Sequence, residues 1–226
     1  MNKFLSASLM CADLMRLEKS VSELKEAGID YLHLDIMDGC FVSNITLGFD
    51  LVDAIKSITD VPLDVHMMVN EPSRFIDRMS LDKNDILCVH YESDIHIQRT
   101  LAQIRDKGCK TGLALNPQTP LGCMQHLTEY IDMALIMTVS PGFAGQKMFA
   151  GAEAKTKQAR ELLNEWGCAD IPIEVDGNIS PENGRKLSLC GADIFVLGTS
   201  SLFMKNKDIK QSAAEFRAAV QEGLYV

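Results

Sequence analysis

Short β-rich runs and longer amphipathic stretches alternate along this chain, and that alternation constrains its fold more than any other feature. The runs fall at 4–8, 30–36, 62–66, 85–90, 110–115, 133–139, 171–175 and 193–197. Helical spacing of apolar residues follows each, over 13–27, 49–58, 72–79, 96–107, 121–129, 152–166, 181–190 and 208–222. Leu14, Leu17, Val21 and Leu24 show that spacing clearly. Pro72, Pro120 and Pro181 stand where first-turn prolines belong, and Gly28, Gly108 and Gly191 where a glycine closes a helix.

Strands alternating with helices make a parallel sheet with right-handed crossovers. Eight such units predict closure into an α/β fold of the (β/α)8 TIM-barrel type, as a single domain over 1–226. An open doubly wound sheet would carry a glycine-rich fingerprint after its first strand. Ser8-Leu9-Met10-Cys11 is nothing like it. With 46% hydrophobic residues the chain can fill one large core.

The formal charge is −9, with no clustered Lys or Arg to offset it. Nucleic acid and anionic membranes are therefore not expected partners. A small anion remains compatible, since backbone amides can hold it. The seven cysteines form no CxxC pair, which argues against a disulfide framework or a finger-type zinc site. They read as core residues of a reducing, cytoplasmic compartment. The stretch after Lys3 reads as a first strand, not a signal peptide, and no run approaches the length of a membrane span.

In such a barrel the site lies at the C-terminal strand ends. Alternation puts His33, Asp35 and Met37 on one face of the second strand, Asp64, His66 and Met68 on one face of the third, and Glu174 and Asp176 together on the seventh. The aliphatic faces belong against the helices, so these polar faces point inward. Burying so many ionisable groups is costly unless they are paired or bind a cation. Two imidazoles and two carboxylates can make a divalent metal site. His90, ending the fourth strand, is a further inward residue, either a satisfied core histidine or a support for that site. His96 and His126 are expected in solvent.

Glycines follow the last three strands: Pro141-Gly142-Phe143-Ala144-Gly145-Gln146, then Asp176-Gly177-Asn178, then Gly198-Thr199-Ser200. Each alone could be an ordinary turn. Together they form a phosphate-binding pattern, in which a backbone without Cβ atoms approaches the anion. Gly177 and Gly198 are expected at positive φ, with Ser201 or Thr199 hydroxyls assisting.

His33-Leu-Asp-Ile-Met-Asp-Gly39, Asn44-Ile-Thr, Pro62-Leu-Asp-Val-His-Met-Met68, Leu115-Asn-Pro, Pro141-Gly-Phe-Ala-Gly-Gln146 and Glu174-Val-Asp-Gly177 occur in that order. With Ser-Leu-Met near the start, this set resembles the ribulose-phosphate 3-epimerase family from about residue 5 to 203. The resemblance implies a (β/α)8 barrel that interconverts D-ribulose 5-phosphate and D-xylulose 5-phosphate, a step of the pentose phosphate pathway. It implies one divalent metal (Zn, Fe, Mn or Co) on His33, Asp35, His66 and Asp176. It implies Asp35 and Asp176 as the two acid/base carboxylates. Substrate contacts would come from Ser8, His66, Gly142, Phe143, Ala144, Gly145, Gly177, Asn178, Gly198 and Thr199, with Met37, Met68 and Met137 lining the site. A homo-oligomer is expected.

Cys40, Ser43, Ala7, Ala144 and Asn178 depart from the family pattern, and none removes a ligand or a catalytic carboxylate. The Phe-Ala-Gly-Gln loop and the Gly-Thr-Ser ending look more like the branch acting on D-allulose 6-phosphate and D-fructose 6-phosphate. Two other classes stand beside an epimerase. A barrel aldolase would want a lysine at a strand end, and no expected strand ends in one. A non-catalytic sugar-phosphate-binding barrel would not demand both carboxylates.

Overall fold

The computed structural model describes residues 2–205 and 207–221. Eight parallel strands close into a barrel in chain order: β1 (Phe4–Ser8), β2 (Tyr31–Met37), β3 (Leu63–Met68), β4 (Ile86–His90), β5 (Lys110–Leu115), β6 (Met133–Met137), β7 (Ile173–Asp176) and β8 (Ile194–Leu197). β1 pairs with both β2 and β8, which closes the ring. The (β/α)8 barrel is thus the fold. β1 and β5 have the expected limits, while β2 and β3 run on to Met37 and Met68 and β6 stops at Met137.

Among the described residues six α-helices pack outside: α1 (Leu17–Glu26), α2 (Phe49–Ile58), α3 (Ile97–Lys107), α4 (Ala152–Glu165), α5 (Pro181–Leu189) and α6 (Ile209–Gln221). Residue 222, the last of the expected final helix, lies outside the described residues. The expected helices at 72–79 and 121–129 are corrected. Each is a pair of 3₁₀ turns, Pro72–Arg74 with Ile76–Arg78, and Leu121–Met124 with Thr128–Tyr130. The buried residues of the second segment are Leu121, Met124 and Leu127, a spacing of three that a 3₁₀ turn stacks on one side. Gly122 and the shortness of both segments also disfavour nucleating an α-helix.

The strand faces divide as alternation requires. Leu32, Leu34 and Ile36 of β2, Leu63, Val65 and Met67 of β3, and Ile173 and Val175 of β7 join helix residues such as Leu24, Val52 and Ile55 in one buried layer. The alternate residues fill the barrel. Ile86, Cys88, Ala114, Met133, Leu135 and Ile194 make an apolar interior layer. The rest of the interior carries the polar residues of β2, β3 and β7, with Met37, Met68 and Met137 toward the mouth. Gly28, Gly108 and Gly191 adopt φ of 72°, 91° and 98°, as helix-closing glycines do.

Candidate active site

Parallel register sets the first level of the site. His33 of β2 lies beside Asp64 of β3, Asp35 beside His66, and Met37 beside Met68. Ser8 lies beside His33, and Met137 of β6 beside Asp176 of β7. All these side chains project into the barrel, rising from a buried base to the open mouth.

At the base, Asp64 Oδ2 accepts from Ser6 Oγ–H at 2.8 Å and lies 2.6 Å from His33 Nδ1. His33, Asp64 and Glu174 are fully buried. Burial opposes charge on His33, but the carboxylates of Asp64 and Asp35 outweigh it and hold the imidazole well above its ordinary pKa. Burial, and then the charge of Asp64, pushes Glu174 well above the usual carboxylate range.

Above this base, one ligand atom each from His33, Asp35, His66 and Asp176 converge, all within 4.8 Å of one another. His33 Nε2 lies 3.2 Å from Asp35 Oδ1, and His66 Nδ1 lies 3.3 Å from Asp35 Oδ1 and 3.9 Å from Asp176 Oδ2. His66 Nδ1 is buried and has no hydrogen-bond partner. An orphaned imidazole nitrogen facing two carboxylates fits a divalent cation, and the donor set suits Zn, Fe, Mn or Co. Ser8 Oγ–H donates to Asp35 Oδ2 at 3.1 Å and fixes its orientation.

The two aspartates differ electrostatically. Burial works against ionising Asp35, but His33 and His66 hold its carboxyl well below the usual range. Asp176 lacks such a close partner, and burial followed by the charge of Asp35 pushes it up to about 6.

The mouth opens into a cavity. Ser8, Asp35, Asp176, Met37, Met68 and Met137 line its floor, and the three glycine-bearing segments line its rim. Every expected substrate-contacting residue lines it except His66, which lies beneath. Gly142, Gly145 and Gly177 adopt φ of 117°, 80° and 117°. Asn178 occupies the left-handed region at φ 56°, and its backbone carbonyl accepts from Asn183 Nδ2–H at 2.8 Å. Gly198 is corrected: it is not among the positive-φ glycines, and an added Cβ would meet only Cys11 Sγ, at 3.2 Å. Asn44 Nδ2–H donates to the Gly142 carbonyl at 2.8 Å and ties the loop after β2 to the loop after β6. The Ser201 hydroxyl is buried without a partner, and Lys147 is exposed.

Sequence reasoning missed Cys11, which lines the cavity beside Gly198 and whose thiol burial raises. It also missed Glu92. His90 Nε2 lies 2.8 Å from His66 Nε2, and His90 Nδ1 lies 3.2 Å from Glu92 Oε2. Burial lowers His90 to about 4, despite the Glu92 hydrogen bond that opposes it. Glu92 lies past the end of β4, so strand alternation gave no signal for it. His96 and His126 are exposed, as expected.

Residues 4–203 match the sequence profile of the ribulose-phosphate 3 epimerase family. The chain is 38% identical over 212 residues to the ribulose-phosphate 3-epimerase of Bacillus subtilis, covering 94% of this chain and 97% of that one. It is 39% identical over 222 residues to the chloroplastic ribulose-5-phosphate-3-epimerase of Arabidopsis thaliana, covering 95% and 79%. Among solved structures, KGPDC from Streptococcus mutans superposes with a TM-score of 0.68, covering 98% of this chain and 99% of that one. At 13% identity, that likeness is one of fold.

Proposed function

The chain belongs to the ribulose-phosphate 3-epimerase family, and on that premise we propose that it inverts carbon 3 of D-ribulose 5-phosphate to give D-xylulose 5-phosphate, with Asp35 and Asp176 as its two acid/base groups. The carrying observation is that these carboxylates reach one cavity from β2 and β7, two non-adjacent strands. Epimerisation beside a ketone removes a proton from one face of the carbon and returns another to the opposite face. It needs two groups that do not share a face.

His33, Asp35, His66 and Asp176 would hold the divalent cation. When bound, such a cation acts as a Lewis acid toward the negative charge that develops on the substrate oxygens. Asp35, oriented by Ser8, and Asp176 each hold or release a proton at a carboxylate oxygen. Met37, Met68 and Met137, each no more than 4% exposed, present thioethers to the planar intermediate. They exclude water and have no proton to give. The glycine-bearing segments at 142–145, 177–178 and 198–199 anchor the phosphate through backbone amides. That anchor sets which carbon stands between the aspartates.

A panel of five- and six-carbon ketose phosphates, with kcat/KM for each, tests this reading. The expected result is the highest value for D-ribulose 5-phosphate. A highest value for D-allulose 6-phosphate would replace the substrate and keep the reaction. Binding without turnover of any member would make the chain a sugar-phosphate-binding barrel.

A further inference from the structure

We infer that His90 and Glu92 are positioning residues that fix the tautomer of His66 and so present its Nδ1 lone pair to the cation. This rests on the metal reading of His33, Asp35, His66 and Asp176.

Two imidazole nitrogens 2.8 Å apart, His66 Nε2 and His90 Nε2, must share one hydrogen. Either nitrogen could carry it. The surroundings choose. Glu92, as a carboxylate, only accepts, and its Oε2 lies 3.2 Å from His90 Nδ1. A hydrogen on His90 Nδ1 donates to it. His90 Nε2 is then a lone pair, so the shared hydrogen belongs to His66 Nε2. His66 Nδ1 is left as a lone pair, facing Asp35 and Asp176 without a hydrogen-bond partner. The opposite arrangement sets a lone pair of His90 against the carboxylate. It also aims an N–H of His66 into the space where the ligand atoms converge.

Glu92 is itself held in place. Its Oε1 accepts from the Asn116 backbone N–H at 3.0 Å and from the Thr119 hydroxyl. Lys155 of α4 donates to the carbonyls of Asn116, Pro117 and Thr119, at 2.5, 3.2 and 2.9 Å, and so secures that segment. Phe41 covers His90, with ring centroids 4.8 Å apart. The other imidazole ligand is set in one step, by Asp64 on His33 Nδ1 at 2.6 Å. On the His66 side the carboxylate of Glu92 acts in two steps, through His90.

The test is Zn²⁺ titration of metal-stripped protein against a chromophoric chelator, with ¹⁵N NMR of the imidazoles in the Zn²⁺-loaded wild type. His90→Phe keeps the ring volume and removes the acceptor, so Zn²⁺ affinity should fall about 10–100-fold. His90→Gln can accept from His66 and donate to Glu92, and should restore most of it. The ¹⁵N shifts should place the His90 hydrogen on Nδ1 and the His66 hydrogen on Nε2, a result that needs no variant to fold. A His90→Phe chain that binds Zn²⁺ as tightly as the wild type, or a His90 hydrogen on Nε2, would overturn the relay alone. A wild type that binds no Zn²⁺ would overturn the metal reading and the relay with it.

Discussion

His33 and Asp35, two positions apart on β2, aim at one point: His33 Nε2 lies 3.2 Å from Asp35 Oδ1. Strand alternation alone places them on the same inward face. The arrangement is stable because each partner is secured from a neighbouring strand, His33 by Asp64 and Asp35 by Ser8.

Replacing either acid/base carboxylate should therefore remove chemistry without emptying the core. Asp35→Asn and Asp176→Asn are each expected to lower kcat by ~10²–10⁴-fold or more. The double variant should lose far less than the product of the two, because the residues act as one unit. Steady-state kinetics of the three variants check this. A wild-type kcat in the Asp176→Asn chain would remove Asp176 from the mechanism.

The rim glycines should separate into two kinds. At Gly177 an added Cβ would stand 2.5 Å from a Val139 methyl and 2.9 Å from its backbone nitrogen, at φ +117°. Gly177→Ala should cost at least about 2 kcal/mol, since strained backbone alone costs ~1–3. Gly198→Ala meets only the Cys11 thiol at 3.2 Å, at an ordinary φ, and should cost less than about 1 kcal/mol. Urea unfolding midpoints of the two variants measure the contrast. Equal losses would contradict it.

The phosphate anchor predicts strong dependence on the ester. Free D-ribulose should react with a kcat/KM at least ~10²-fold below that of its 5-phosphate, because binding energy at the remote group positions the reacting carbon. Comparable values would return the rim glycines to ordinary turns.

Barrel closure, the inward polar faces and the convergence of His33, Asp35, His66 and Asp176 were legible in the sequence because all follow from a period of two. Placement of the rim residues was legible too, since a barrel has only one end that its strands point to. The crossovers after β3 and β5 were not. Leu121, Met124 and Leu127 repeat every three residues, and so few residues cannot distinguish a 3₁₀ turn from an α-helix. Gly198 was misjudged because a glycine after a strand can serve close approach with no need for positive φ. Glu92 was hidden because it lies beyond β4, in a 3₁₀ turn where strand parity no longer applies.

Glu92 also predicts a pH effect on stability. Burial raises its pKa, but hydrogen bonds from His90, Thr119 and Asn116 outweigh this and bring it down to about 2, from the ordinary 4.5. A depressed carboxylate contributes stability that is fully present above its unfolded pKa and is lost as pH falls through the folded one. The window is thus pH 4.5 down to about 2. The side chain is 22% exposed, so screening leaves roughly 1 kcal/mol. The stability advantage of wild type over Glu92→Gln should be constant from pH 7 to 5 and shrink below 4.5, as measured by urea midpoints at each pH. An advantage that persists unchanged at pH 3 would contradict this assignment.

The fate of the C3 hydrogen tests the two-carboxylate account most directly. D-Ribulose 5-phosphate labelled with deuterium at C3 should be converted in ordinary water, stopped at low conversion, and the product examined by NMR. One aspartate takes the label and the other delivers a hydrogen drawn from solvent. The D-xylulose 5-phosphate formed should therefore carry no deuterium at C3, and its carbon chain should be intact. Product that retains the substrate's own deuterium would mean that a single group serves both faces, and the pairing of Asp35 with Asp176 would fall.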